Sequence, residues 1–239
     1  MSLLNRNKLD DFLLFNFLAK DKQNAEDIVT AGDGFVVPGI VSSDFEQIED
    51  GVRKVRELQT VTEVVSIGLG GNGNPGNWKK VMEIAAKSQA GHINQPFERT
   101  VFTKGYLQAK GIEPLINGLV IPTGEIGFVK LTSGLTLRVE ELMDLAKEMG
   151  IQSIKFMPLK GTEHLDELVY LCQIAADRGI HGVEPAGGID AGNIAEIVES
   201  VRKTGISFFM PHIFGSAIDK ETGATIPKQV MEIIQKVRR

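Results

Sequence analysis

At 239 residues the chain has the usual length of one α/β barrel, and no strongly biased segment suggests a fibrous or disordered protein. Its apolar fraction of 42% and charged fraction of 24% are those of an ordinary globular protein, and a net charge of −5 leaves no basic footprint for nucleic acid. The single cysteine, Cys172, excludes an intramolecular disulfide and a cysteine-rich metal site.

Residues 1–11 are polar and read as a loose or helical lead-in. The run Phe12-Leu13-Leu14-Phe15-Asn16-Phe17-Leu18 has strand length, far short of a membrane span, and a short helix follows from Asp21 through Ala31. A second strand covers 35–41. Ser42-Ser43-Asp44 then offers the N-cap of a helix with Ile48, Val52 and Val55 as its buried stripe. The third strand covers 61–69 and ends in a glycine-rich loop before a helix over 76–88. A fourth strand over 92–95 precedes a helix over 97–110, and a fifth covers 115–121.

Phe128-Val129-Lys130-Leu131 also looks like a strand. Too few residues separate it from the fifth for a parallel crossover, so it should fold back as an antiparallel hairpin. A helix over 138–149 places Val139, Leu142, Met143 and Ala146 on one face. The sixth strand holds Lys155, and its helix is striped by Leu165, Leu168, Val169, Cys172 and Ala176. The seventh strand is 183–185, followed by a helix with Ile194, Ile197, Val198 and Val201 inward. The eighth is 207–210, and the last helix buries Val230, Ile233, Ile234 and Val237. Eight apolar strands, each followed by a helix, specify a (β/α)8 TIM barrel. No linker divides it, so residues 1–239 read as a single domain. Chemistry is then expected at the C-terminal ends of the strands.

Two anomalies stand out. In Ser153-Ile154-Lys155-Phe156-Met157-Pro158 a lysine sits inside an apolar strand, where desolvation lowers its pKa and yields the neutral amine a Schiff base needs. The bland alternative is a lysine snorkelling from a strand end. In Val183-Glu184-Pro185-Ala186-Gly187-Gly188-Ile189, two glycines precede a helical pattern, a way of presenting backbone N–H groups to a phosphate, though a plain tight turn also fits. Glu184 shares a strand face with Ala186. It fits either a structural ion pair with Lys155 or a proton shuttle beside it.

Other features weigh less. Gly68-Leu69-Gly70-Gly71-Asn72-Gly73 fits a dinucleotide fingerprint, but Asn74-Pro75-Gly76 postpones the helix; a loop over the barrel mouth is the better reading. His164 and His181 are expected in solvent, and His92 at the strand end away from the chemistry. Only His212, leaving the eighth strand, is a site candidate. Lys20, after the first strand, could hold a substrate carboxylate or neutralise a phosphate. Asn94 and Thr123 are candidate donors to hydroxyl or carboxylate groups, while Lys130 is expected in solvent.

Lys155-Phe156-Met157-Pro158 and Pro185-Ala186-Gly187-Gly188-Ile189 resemble the Lys-Phe-Phe-Pro and Pro-Thr-Gly-Gly-Ile words of the KDPG aldolase family. The chain is more similar still to a divergent branch, the KDGP aldolases associated with glucosaminate breakdown. That likeness runs from Asn16-Phe17-Leu18-Ala19-Lys20-Asp21 to Pro211-His212 and Ile218-Asp219-Lys220-Glu221-Thr222-Gly223. The resemblance implies a class I aldolase cleaving 2-dehydro-3-deoxy-6-phosphogluconate to pyruvate and glyceraldehyde 3-phosphate, with Lys155 as nucleophile. It places phosphate at Gly187, Gly188, Gly215 and Ser216, and requires no metal or cofactor. The larger family draws its acid/base glutamate from an early strand, and 35–41 contains none; Glu184 is the expected base. A phosphosugar isomerase or epimerase on the same barrel is the nearest rival. A metal-dependent 4-hydroxy-2-oxoglutarate-type aldolase using Glu184, His212 and Asp219, or a non-catalytic phosphate-ligand binder, are further readings. No signal-peptide pattern opens the chain. A cytoplasmic homo-oligomer acting on a small phosphorylated sugar acid, without nucleic-acid or membrane partners, is the expectation.

Overall fold

The computed structural model of the chain describes residues 3–238, so the first two residues of the expected lead-in and the last residue of the domain lie outside it. The remainder of the lead-in carries a 3-10 turn at Leu3–Asn5 with Leu3 buried. Then β1 (Phe15–Leu18), α1 (Lys22–Ala31), β2 (Val36–Val41), α2 (Ile48–Leu58), β3 (Ser66–Gly68), α3 (Trp78–Ser88), β4 (His92–Pro96), α4 (Thr100–Gln108) and β5 (Leu115–Pro122) alternate. A hairpin of β6 (Phe128–Lys130) and β7 (Thr136–Arg138) interrupts them. The alternation resumes with α5 (Val139–Glu148), β8 (Ser153–Phe156), α6 (Leu165–Arg178), β9 (Gly182–Pro185), α7 (Ile194–Arg202), β10 (Phe208–Phe209) and α8 (Pro227–Val237).

The main strands pair in parallel in the order β1-β2-β3-β4-β5-β8-β9-β10. Almost every strand residue is buried, as expected of a parallel sheet covered on both faces. The sheet curls in the manner of a TIM barrel, but no continuous ladder joins β10 to β1. The seam carries two isolated parallel bridges, Leu13 with Phe209 and Asn16 with His212. Pro211 supplies the reason, because it has no N–H to extend a ladder from β10. The fold is therefore an α/β half-barrel of TIM-like form, with a seam looser than the sequence pattern predicts.

Most elements follow the hydrophobic pattern; the departures have local causes. Ser42–Asp44 forms its own 3-10 turn, and α2 begins only at Ile48 after the extended backbone of Phe45. The third strand shrinks to three residues. β6 does fold back antiparallel on β5, pairing Lys130 with Ile121, but its second arm β7 is largely exposed and turns only Leu137 toward the core. Among the described residues no helix is long and apolar enough to cross a membrane.

One glycine fixes the spacing around the site. A Cβ at Gly182 would lie 2.5 Å from the Phe208 ring and 2.8 Å from Ser153 Oγ. Gly182→Ala is expected to lower the unfolding free energy by about 1–3 kcal/mol through overpacking, measurable by urea titration.

Candidate active site

A cavity of about 570 Å³ opens at the C-terminal ends of the strands. Loops leaving β3 (70–73), β9 (Gly187, Gly188) and β10 (Gly215, Ser216) line it, together with Lys155, Asn94 and His212. Alternation along β8 sends Lys155 and Met157 to this cavity and places Ile154 and Phe156 in the main apolar core.

Lys155 is 6% exposed, and among the described residues its ammonium has no ion pair within 4 Å. Burial pushes its pKa down to about 7, opposed by the charge of Glu184. A useful fraction of the molecules thus carries a neutral amine near neutral pH. Glu184 is its register partner on β9, yet the carboxylate is directed elsewhere. It accepts from Ser153 Oγ at 2.6 Å, Asn117 Nδ2 at 2.7 Å, His212 Nε2 at 2.8 Å and His92 Nε2 at 3.0 Å. Burial alone would raise this carboxyl; the attraction of His92 and the hydrogen bonds from His212 and His92 outweigh it and hold the group well below the usual carboxylate range.

Glu184 is fully buried and does not line the cavity; it meets it through His212. Burial first, then the charge of Lys155, lowers the His212 imidazolium pKa to about 3 against the pull of Glu184, so the ring is neutral. A carboxylate can only accept, which places the ring proton on Nε2 and leaves Nδ1 with a lone pair. The site therefore combines an unpaired amine with a neutral imidazole backed by a buried carboxylate.

Gly187, Gly188, Gly215 and Ser216 gather as expected. Among the described residues their backbone N–H groups donate to no protein acceptor, while the Ser216 hydroxyl donates to Ile189. Gly187 and Gly188 have left-handed φ of 103° and 73°, and a Cβ at Gly188 would sit 2.5 Å from the Gly161 amide. The turn itself thus demands glycine there. The amides at the start of α7 are less available, because Asp190 Oδ1 accepts from Gly192 and Asn193. Loop 70–73 is no dinucleotide cradle. A 3-10 turn at Pro75–Asn77 delays α3, and the loop lines the cavity mouth.

Other expected residues fall elsewhere. Lys20 lines a separate cavity of about 300 Å³ near the ends of β1 and β2, along with Lys54. Thr123 stands exposed at the start of the hairpin, with its amide donating to Glu167. Asn94 does line the main cavity, but its Nδ2 donates to the Ile67 carbonyl. Asp219 turns its carboxylate to Glu221 and Thr222 in its own loop and does not join Glu184 and His212. His164 is buried and bonded to Glu167 at 2.6 Å, not solvated as its helix-start position predicts. His92 is fully buried and bonded to Glu184, at the centre of the polar network and not remote from it. Its inward side chain at the start of a barrel strand reaches beneath the site. Asp44 also went unread because it follows β2; it lines the cavity, and burial raises its carboxyl pKa despite a hydrogen bond from Ser43.

The chain resembles a 2-dehydro-3-deoxy-phosphogluconate aldolase of Salmonella typhimurium (strain 14028s / SGSC 2262), with 35% identity over 232 residues, 93% of this chain and 94% of the relative. Among solved structures, thiamine phosphate pyrophosphorylase from Pyrococcus furiosus superposes with a TM-score of 0.58 at 13% identity, covering 95% of both chains. The carboxyl transferase domain of Rhizobium etli pyruvate carboxylase superposes with a TM-score of 0.57 at 12% identity; 98% of this chain covers 47% of that one. Those two likenesses speak for the fold alone. Residues 9–221 match the KDGP aldolase family, to which this chain belongs, and the protein is an aldolase and a lyase.

Proposed function

We propose that the protein is a class I aldolase cleaving 2-dehydro-3-deoxy-6-phosphogluconate to pyruvate and glyceraldehyde 3-phosphate, with Lys155 as the Schiff-base residue. The observation that carries this reading is a buried lysine with a pKa of about 7 and, among the described residues, no ion pair within 4 Å, facing a cavity at the strand ends. The neutral amine attacks the C2 ketone, and loss of water gives a protonated imine that serves as electron sink. A base removes the C4 hydroxyl proton as the C3–C4 bond breaks, releasing glyceraldehyde 3-phosphate. The resulting enamine is protonated at C3, and hydrolysis frees pyruvate and restores the amine.

The geometry favours His212 as the group that takes the C4 proton, with Glu184 behind it stabilising the imidazolium. Direct action by Glu184, the base expected from sequence, fits less well because its oxygens are fully engaged. Asp44, raised by burial, is a carboxylate lining the cavity and is also placed to exchange protons with the substrate.

The free amides of Gly187, Gly188, Gly215 and Ser216 would hold the phosphate. Gly215 offers the clean test, because a Cβ there meets nothing within 4 Å and its φ is ordinary. Gly215→Val is expected to leave the fold intact and raise KM for the phosphorylated substrate at least about tenfold, a loss of roughly 1.4 kcal/mol. KM for the unphosphorylated analogue should change little. Equal losses on both substrates would remove the phosphate from this loop. Pyruvate release from a panel of 2-keto-3-deoxy acids, with and without phosphate, tests the substrate class. Absence of a covalent pyruvate adduct would favour the isomerase reading.

A further inference from the structure

Barrel interiors are ordinarily packed by layers of branched apolar side chains. Here one level of the interior is polar across five neighbouring strands. Ser66 on β3 pairs in register with His92 on β4, and Asn117 on β5 with Ser153 on β8; Glu184 on β9 lies two residues past Gly182, the register partner of Ser153, and its carboxylate meets Ser153, Asn117 and His92 through side-chain hydrogen bonds. All five side chains are buried to 1% exposure or less. Such a layer costs packing energy that leucine or valine would supply, and an unpaired polar group within it is strongly destabilising. Apart from a contact to Asn94, the network converges on one carboxylate, and the proposed mechanism leaves its buried histidine, His92, without a role.

The geometry points to His92 as a positioning residue: it fixes Glu184 as a carboxylate aimed at His212 Nε2, and so holds the His212 Nδ1 lone pair toward the substrate. This deepens the aldolase reading and rests on it. Ser66 Oγ lies 2.8 Å from His92 Nδ1 and sets the ring's orientation. His92 Nε2 then spans both Glu184 oxygens, at 3.2 Å and 3.0 Å. With Ser153, Asn117 and His212 it fills the carboxylate's lone-pair sites, about four in number. The ionisable groups facing Glu184 are His92 on β4, Lys155 on β8 and His212 beyond β10; Asn117 and Ser153 are neutral. Without the His92 donor, burial acts on Glu184 with less opposition. The carboxyl then protonates at a higher pH, gains a hydrogen to donate, and ceases to dictate which His212 nitrogen carries the proton.

Two substitutions of similar polarity separate positioning from bulk. In His92→Asn the amide can still meet Ser66 but is too short to reach Glu184. In His92→Gln the amide extends to the place of Nε2. In the full-length protein, His92→Asn is expected to lower kcat at least about tenfold with KM little changed, a fraction of the usual acid/base contribution. The acidic limb of kcat, read after Lys155 has become an imine, should move to higher pH. Nitrogen-15 spectra of the histidine rings should show His212 as the Nε2–H tautomer in the parent and as a mixture in His92→Asn. His92→Gln should recover most of all three properties. A His92→Asn protein with the parent kcat, pH limb and His212 tautomer overturns the proposal, as does His92→Gln behaving like His92→Asn while the tautomer stays fixed. Trapping of pyruvate on the parent enzyme by borohydride is run alongside. Its failure would sink the Schiff-base reading, while the tautomer spectra still decide the role of His92.

Discussion

Incubation with pyruvate and borohydride is expected to add one reduced pyruvyl group per chain, mapped to Lys155. Lys20, Lys130 and Lys160 are exposed and do not line the main cavity. Lys155 alone combines burial, a pKa of about 7 and access to the cavity. Lys155→Arg should abolish the adduct and lower turnover by at least about four orders of magnitude, since guanidinium stays protonated and cannot form the imine. Adduct formation should rise with pH through about 7 as the neutral amine accumulates. The same shift has a stability sign. The unfolded lysine titrates at its ordinary high value and the folded one near 7, so between these pH values the unfolded chain binds the extra proton. Stability of the parent therefore climbs with pH across that window. Lys155→Met should lose that slope and gain on the order of a few kcal/mol at pH 7, read as a higher melting temperature. An adduct on another lysine would relocate the site, and no adduct at all would end the class I reading.

Glu184→Gln should retain imine formation and lose turnover by roughly two to four orders of magnitude. The reason lies in the donors around it. Ser153, Asn117, His92 and His212 all point hydrogens at this carboxylate. A glutamine amide keeps the shape but brings a donor against one of them, leaving a buried clash or an unmet hydrogen bond worth about 1–3 kcal/mol of stability. It also removes the charge that would stabilise an imidazolium at His212. Because Glu184 is held well below the usual range, its stabilising charge is present across neutral pH and is lost only as pH falls through that depressed value. The acidic limb of kcat/KM near neutrality therefore belongs to Lys155. A near-normal rate in Glu184→Gln would assign proton transfer to Asp44 or a bound water.

The strand carrying Lys155 was legible because a charged residue in an apolar run violates the local pattern, and alternation then gave its direction. Glu184 was legible for the same reason, but its partners were not. His92, Asn117, Ser66 and Ser153 come from four other strands, and only the curled sheet brings their side chains within reach of one carboxylate or of each other. A histidine at the start of a strand looks remote from a site at the strand ends until the barrel interior is seen as stacked layers. Asp44 escaped because it lies three residues past the end of β2, in a turn whose Ser-Ser-Asp composition mimics a helix cap. Lys20 lines a second cavity, because ending a strand on the expected side of the barrel does not determine which of two cavities a flexible side chain enters. The arm β7 offered a single apolar residue, Leu137, too short a signal to read as a strand.

The loose seam ties the order of synthesis to the order in which the site becomes complete. The His212 amide donates to the Pro185 carbonyl at 2.8 Å, and the Ile213 amide donates to the Asn16 carbonyl at 2.9 Å. One short segment thus clasps together β9 and β1, which lie far apart along the chain. On the ribosome, β1 emerges long before that segment, and one edge of it stays open to unintended pairing in the meantime. A nascent chain that already displays Lys155 and Glu184 still lacks the imidazole between Glu184 and the cavity. Closing so long a loop comes late on entropic grounds. On the proposed mechanism, completion of the site and protection of the first strand's edge therefore both depend on the same seam contacts.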